Sequence, residues 1–310
     1  MTFGKKQETT RWLPLISSFC VGMIFMIVIQ SCLITRTDST VRQLLRQKRG
    51  LNGVEKGKLA STILQFGDPG TARDFFEREE YVISYDRRDR VASWVGEHLT
   101  AASLVPGEGV NRDHSKFQED PDVLPIFRST LADYSGSGYD RGHMAPAGDA
   151  VFNQTAMDQT FYLSNMSPQV GIGFNRHYWA YFESFARNLT QSFSDVYVLT
   201  GPLFLPQPSD KDSKKYTMTY PVLNGNVAVP THFYKVILVP DGKKKDSYAF
   251  GAFVLPNQSI PSDTDLTKFK VTLDVVEKAS GLIFFDKLDA KSLGDLCSIT
   301  TCSVKPFHGS

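Results

Sequence analysis

The chain has 310 residues, 41% of them apolar and 22% charged. That is the material of an ordinary globular protein with a sizeable core, and it excludes bulk disorder, collagen and disulfide-knot scaffolds. The formal charge of +1 hides an asymmetry: residues 1–58 hold ten Lys/Arg against three Asp/Glu (+7), and the other 252 hold 24 against 30 (−6). A body so balanced is no general binder of polyanions, so nucleic-acid chemistry would need a local basic track and a defined site.

Residues 1–11 form a basic leader with Lys5, Lys6 and Arg11. Residues 12–35 carry no formal charge and include the run VGMIFMIVI, long enough to cross a hydrocarbon layer of about 30 Å, which predicts one transmembrane helix. Basic residues on both flanks leave its orientation open. A cleaved signal peptide and a mitochondrial presequence followed by an anchor are the alternatives. Residues 36–63, with Gly50, Gly53 and Gly57, read as a polar basic linker, and the folded domain is assigned to 64–310. Cys20 and Cys32 lie in or beside the apolar run and act as small hydrophobes. Cys297 and Cys302 could be free thiols or close a small loop; no neighbouring Cys or His completes a zinc pattern.

Within the body, Tyr81–Leu99 alternates around the polar turn Arg87–Asp89 and predicts a β-hairpin. Residues 105–125 are a long polar loop carrying Asn111, Arg112 and His114. YDRGHMAPAGDA, from Tyr139, is too rich in Gly and Pro for a helix, and a short helix is expected near Thr155–Thr160. Tyr178, Phe182, Phe185 and Leu189 recur at spacings of four, three and four, which marks an amphipathic helix with Asn175 at or near its N-cap. DVYVLTGPLF, NVAVPTHFYKVILV and SYAFGAFVLP are β-rich runs. VTLDVVEKASGLIFF gives a short strand and a helix capped by Gly281. Strands adjacent in sequence, with helices interspersed without a βαβ rhythm, give an α+β class. No G-x-G-x-x-G follows a first strand, which excludes a Rossmann reading.

The chemical centre is Asp140-Arg141-Gly142-His143 with Asn175, Glu183 and Arg187 downstream. A histidine can take a proton from water, an amide oxygen and a carboxylate suit a hard hydrated cation such as Mg²⁺, and arginines fit phosphate bidentately. Together they describe metal-assisted phosphodiester hydrolysis. Eight helical residues advance about 12 Å and turn roughly 80° beyond two revolutions, so Glu183 would reach an ion held by Asn175 through a water. Glu183 and Arg187, at i and i+4, are placed for the carboxylate to restrain the guanidinium. Taken singly, each residue has a plainer reading: a structural histidine, a helix cap, a surface ion pair. His98 and His177 are read as structural, His232 as structural with base preference as the alternative role, and Lys243–Lys245 as a solvated turn rather than a nucleic-acid contact.

DRGHMAPAGD, TFYLSNMSPQ and FNRHYWAYFE, together with FGDPG, YDRRDRVASWVGEHLT, VLTGPL and VPTHFYK, resemble the DNA/RNA non-specific endonucleases of the ββα-metal superfamily, nearest to the mitochondrial endonuclease G branch. The resemblance implies an α+β nuclease core with a mainly antiparallel sheet flanked by helices. It implies His143 as general base, Asn175 as the single direct metal ligand, and Glu183 as the carboxylate ordering the metal's waters. Arg141 would lie beside the scissile phosphate, with Arg112 and Arg187 binding substrate; Asp140, Asn165 and Gln169 would support the site. The cofactor implied is Mg²⁺, with Mn²⁺ as a substitute, the substrates are DNA and RNA cut to 5′-phosphate and 3′-hydroxyl ends, and the assembly is a homodimer. A protein inhibitor would suit an enzyme of so little specificity.

Asn153, Asn165, Asn188 and Asn257 each stand in a glycosylation acceptor pattern. A glycan on Asn165 would obstruct the site, which favours mitochondria, and the inner membrane, over a secretory-pathway membrane. The competing class is a catalytically silent, membrane-tethered nucleic-acid-binding protein on the same fold; such a relative would have lost at least one of His143, Asn175 and Glu183.

Overall fold

Alternating apolar residues build the centre of the molecule. In the computed structural model, which describes residues 57–67, 74–209, 212–242, 246–288 and 293–307, the strands β1 (Asp74–Glu77), β2 (Tyr81–Asp86), β3 (Val91–Leu99), β6 (Val196–Leu203), β7 (His232–Pro240), β8 (Tyr248–Pro256) and β9 (Lys270–Val271) follow one another across a single sheet. β4 (Asp140–His143) and β5 (Met166–Gln169) form a separate two-stranded ribbon. Every pair in the main sheet is antiparallel except the edge strand β10 (Gly294–Asp295), which runs parallel to β8. The class is α+β, as the sequence predicts.

Period-two alternation sends one set of side chains to each face. Ile83, Val95, Val198, Ile237 and Phe253 meet the long helix, whereas Val82, Trp94, Leu199, Val236 and Ala252 pack under helix α1 (Lys58–Ile63) and helix α4 (Leu273–Ser280). Because both faces are covered, β6 is buried along its whole length. Gly281 ends α4 in the left-handed region, at φ 72°, the cap expected from sequence. Residues 58–63, placed in the linker by the sequence reading, are helical, with Ala60 and Ile63 buried.

The long helix runs through Gly171–Trp179 and continues as α3 (Ala180–Asn188), with non-helical backbone at Ile172 and Gly173. Gly173 has φ 85°, and a Cβ there would collide with Ser259, so glycine is required on both counts. The helix therefore starts beyond Gly173, and Asn175 sits inside its first turn. Asn175 therefore lies near the N-cap, as the sequence predicts, without being the cap itself. His177 Nδ1 instead accepts from the Gly173 N–H at 3.0 Å. Tyr178, Phe182, Phe185 and Leu189 all face the core, and α2 (Gln154–Thr160) forms with Asn153 as its side-chain cap.

The chain divides into two units, residues 1–55 and 56–310, and the described residues all belong to the second. The predicted leader, the membrane helix at 12–35 and residues 36–56 of the linker lie outside the described residues. Among those described, no helix is long and apolar enough to cross a membrane. Cys297 and Cys302 are joined in a disulfide, with Cα atoms 5.3 Å apart, which settles the choice left open by the sequence.

The helix is fastened to the sheet by aromatic packing: the Phe182 ring lies 5.3 Å from Phe253 and 6.0 Å from Trp179. Phe182→Ala is expected to cost about 3–5 kcal/mol of stability, read as a lower urea midpoint at unchanged slope. A loss below about 1 kcal/mol would mean that this contact does not anchor the helix.

Candidate active site

β4 and β5 form an antiparallel ribbon apart from the main sheet, with Asp140 opposite Gln169 and His143 opposite Met166. Gly142 is needed there because a Cβ would overlap the Gln169 side chain, which lies over it. Just past the ribbon, Asn165 locks the segment after His143. Its Oδ1 accepts from the Ala145 N–H (2.9 Å), and its Nδ2 donates to the carbonyls of Ala145 (2.9 Å) and Thr160 (2.8 Å). Asn165 and Gln169 are fully buried and stand behind the cleft. The Asn165 side chain, buried and hydrogen-bonded through both its polar atoms, leaves no room for a glycan in this fold.

The ribbon and the long helix together wall a cleft of about 1120 Å³. Arg112, Asp140, Arg141, His143, Asn175, Glu183 and Arg187 all line it, so seven of the nine residues singled out from sequence converge on one cavity. Asp140 joins the two walls. Its Oδ2 accepts from Asn175 Nδ2 (2.9 Å) and Arg176 Nε (2.7 Å), and its Oδ1 from Arg176 Nη2 (2.6 Å). These contacts hold the Asp140 carboxyl below the usual carboxylate range, the Arg176 hydrogen bond being the largest cause. They also fix the Asn175 amide with Oδ1 as its remaining acceptor.

His143 packs against two rings that touch each other, 4.9 Å from Phe161 and 5.7 Å from Phe117. Burial, aided by the charge on Arg112, drives its pKa down from the ordinary 6.5 to about 3. The imidazole is therefore neutral near pH 7. Arg141 stacks over Phe117 (4.2 Å) and Arg112 over Phe161 (5.4 Å), so the same two rings orient the histidine and both guanidinium groups. Arg112 rides on a 3₁₀ turn at Arg112–His114 capped by Asn111. That loop is moored through Arg78, whose guanidinium donates to Asp120 (2.7 Å) and Asp122 (2.6 Å).

Arg187 corrects one expectation. Its Nη1 donates to Asp149 Oδ1 at 2.7 Å, so the partner that holds it is Asp149, while Glu183 acts on it through space. Burial raises the Glu183 carboxyl to about 7, against the pull of Lys235 and Arg187. Asp149, Arg176, Phe117, Phe161 and Lys235 escaped the sequence reading. Lys235 had a signal, a charge at an inward position of an apolar strand; the others had none.

Among the described residues no group of three His, Cys, Asp or Glu is placed to hold a metal. Asn175 Oδ1 with Glu183 nearby is an all-oxygen set with few protein ligands, which fits a hard ion that keeps most of its water.

The DNA/RNA non-specific endonuclease family matches residues 59–291. The chain belongs to that family. It is accordingly an endonuclease, a phosphodiester hydrolase of a family that acts on nucleic acids with a divalent metal. It is 74% identical over 250 residues to nuclease C1 of Cunninghamella echinulata var. echinulata, covering 81% of this chain and 98% of that one. It is 43% identical over 249 residues to the mitochondrial nuclease of Saccharomyces cerevisiae, covering 79% and 75%. The solved structure of EndoG in complex with EndoGI superposes with a TM-score of 0.72 at 44% identity, over 77% of this endonuclease and 96% of that chain.

A half-buried histidine held neutral leaves a mark on stability. Between pH 6.5 and about 3 the unfolded chain binds a proton at His143 that the folded one refuses, so this group contributes stability above pH 6.5 that is lost as pH falls. His143→Gln is expected to flatten the acid side of a plot of thermal midpoint against pH. An unchanged slope would show that the ring is not held neutral.

Proposed function

We propose that this endonuclease is Mg²⁺-dependent and indifferent to the sugar, hydrolysing DNA and RNA to 5′-phosphate and 3′-hydroxyl ends. The convergence of His143, Asn175, Glu183 and three arginines on one cleft carries the reading. His143 Nε2 is buried without a partner, so Nδ1 is the ring nitrogen that can face the cleft. With the ring's own proton on Nε2, Nδ1 takes a proton from the attacking water. Arg112, Arg141 and Arg187 hold the phosphate diester and oppose charge growing on its oxygens. Asn175 Oδ1 would hold the ion directly and Glu183 through water; when bound, the ion supplies Lewis-acid stabilisation of the phosphoryl and leaving oxygens. Mn²⁺ fits the same oxygen set.

We extend the proposal to the compartment and the assembly. The yeast relative and human EXOG, 43% identical over 250 residues, are named as mitochondrial nucleases, which supports a mitochondrial compartment; to it we add, as expectations from the sequence, an anchor at residues 12–35 in the inner membrane and a homodimer. Residues 1–11 would then be its leader, 36–57 its linker and 58–310 its nuclease domain. The side chains of Asn165 and Asn257 are spent inside the fold, which weakens the secretory alternative. EndoG, the structural relative, is inhibited in its complex with EndoGI, and a protein inhibitor of this chain is proposed on that likeness.

The test is plasmid nicking and RNA degradation by the purified full-length chain with Mg²⁺ or with EDTA. Both nucleic acids should be cut only with the metal, and His143→Ala should lose about 10²–10⁴-fold in rate while keeping its fold. Mg²⁺ should also raise the thermal midpoint of the wild type and not of Asn175→Ala. A folded wild type that cuts neither substrate over a range of salt and divalent ions would sink the reading.

A further inference from the structure

On the sheet face beneath α3, three polar residues interrupt the apolar pattern. Glu97 on β3, Thr200 on β6 and Lys235 on β7 share the parity of Val95, Val198 and Ile237, and Thr200 pairs with both Val95 and Lys235. All three are buried to 1% exposure or less. Lys235 Nζ is committed upward and sideways: it donates to Thr200 Oγ1 at 2.8 Å and lies 4.9 Å from the Trp179 ring. Glu97 is different. Both its carboxyl oxygens are buried without a hydrogen-bond donor, and its carboxyl lies within hydrogen-bonding reach of Asp149.

Two carboxylates in contact and out of water repel each other, so one of them holds a proton. Asp149 is 2% exposed and already accepts from Arg187 through Oδ1, so the negative charge belongs there. The proton belongs to Glu97, where burial and the neighbouring Glu80 and Asp149 push the carboxyl well above its usual range. One proton then satisfies both groups. Arg187 needs such backing, because a long side chain at the wall of a wet cleft would otherwise sample many rotamers. It also lies against Gly148, where a Cβ would come within 3.1–3.2 Å of the guanidinium.

We propose that Glu97 donates its carboxyl proton to Asp149 and is thereby a positioning residue for Arg187 in the cleft. The proposal rests on the nuclease reading for its effect on rate. Glu97→Gln keeps a donor of the same shape; Glu97→Leu keeps the volume and removes the donor.

In the full-length chain, Glu97→Gln should hold kcat within about twofold, and Glu97→Leu should lower it by on the order of tenfold to a hundredfold, the cost of a misplaced catalytic group. In an Arg187→Ala background the same Leu substitution should change kcat little further, because its route of action is gone. Equal losses in both backgrounds, or equal losses for Gln and Leu, would overturn the proposal. Should Glu97→Leu fail to fold, infrared spectroscopy at mildly alkaline pH decides: the wild type should show a protonated-carboxyl carbonyl stretch that weakens in Glu97→Gln, and an identical spectrum would overturn it. A wild type that cuts neither nucleic acid sinks the underlying reading; an active wild type with additive variants sinks only the role given to Glu97.

Discussion

The site depends on the carboxylate of Asp140. It begins the short strand that ends in His143, and it takes hydrogen bonds from Asn175 and Arg176 on the first turn of the long helix. β5 already leads into the helix through Val170, and the Asp140 link adds a second tie, from the strand that carries His143. With it, the histidine, the amide oxygen and Glu183 become parts of one rigid wall. The link also bears on the proposed chemistry: by taking the Asn175 N–H, Asp140 turns the amide so that its oxygen is the atom left free to accept, as the proposed metal ligand requires. Charge-assisted hydrogen bonds of this kind are the stronger ones, which suits a joint that must hold a geometry rather than merely stabilise a fold.

Formal charge misrepresents what a polyanion would meet. The body counts to −6, yet Asp74, Glu80, Glu97, Asp120, Asp133 and Asp149 are buried and contribute little to the surface field. Several face inward on structural partners, as Asp120 does on Arg78 and Asp74 on Arg87. Four arginines stand at the cleft, and each is braced from behind: Arg112 and Arg141 on aromatic rings, Arg176 on Asp140, Arg187 on Asp149. A local basic track within an acidic body, which composition demanded of any nucleic-acid enzyme here, is thus assembled from residues scattered along 76 positions of sequence, from Arg112 to Arg187.

What was legible in the sequence follows from range. The hairpin of β2 and β3, the amphipathic face of the long helix and the αL cap at Gly281 are written in local periodicity and turn chemistry, and they stand where expected. Asn175 stands near the N-cap as its sequence context predicts, but the residue at which the helix begins, Gly173, carries its signal in a tertiary clash with Ser259 and is not legible locally. The β4–β5 ribbon was missed because four residues with a proline on one strand show no alternation to read. The Glu183–Arg187 spacing suggested an ion pair, but i,i+4 geometry is only permissive, and Asp149, brought in by the loop after His143, supplies the closer acceptor. The inward charges were legible in part: Glu97 and Lys235 break strict alternation, and a break of that kind is the mark a buried polar network leaves on a sequence.

The same arrangement gives a physical reason for breadth of substrate. Under the proposed mechanism, the groups that would grip nucleic acid are guanidinium ions, an amide oxygen and a carboxylate, all matched to phosphate or to a hydrated cation and none to a base edge. Phe117 and Phe161 are rings of the kind that stack on bases; here each has a face or edge occupied by His143 and an arginine. Their ordering effect is spent on the histidine and the two arginines. Affinity built on phosphate alone falls with salt, so an enzyme of this design gains generality by giving up the contacts that would otherwise hold one sequence against its competitors.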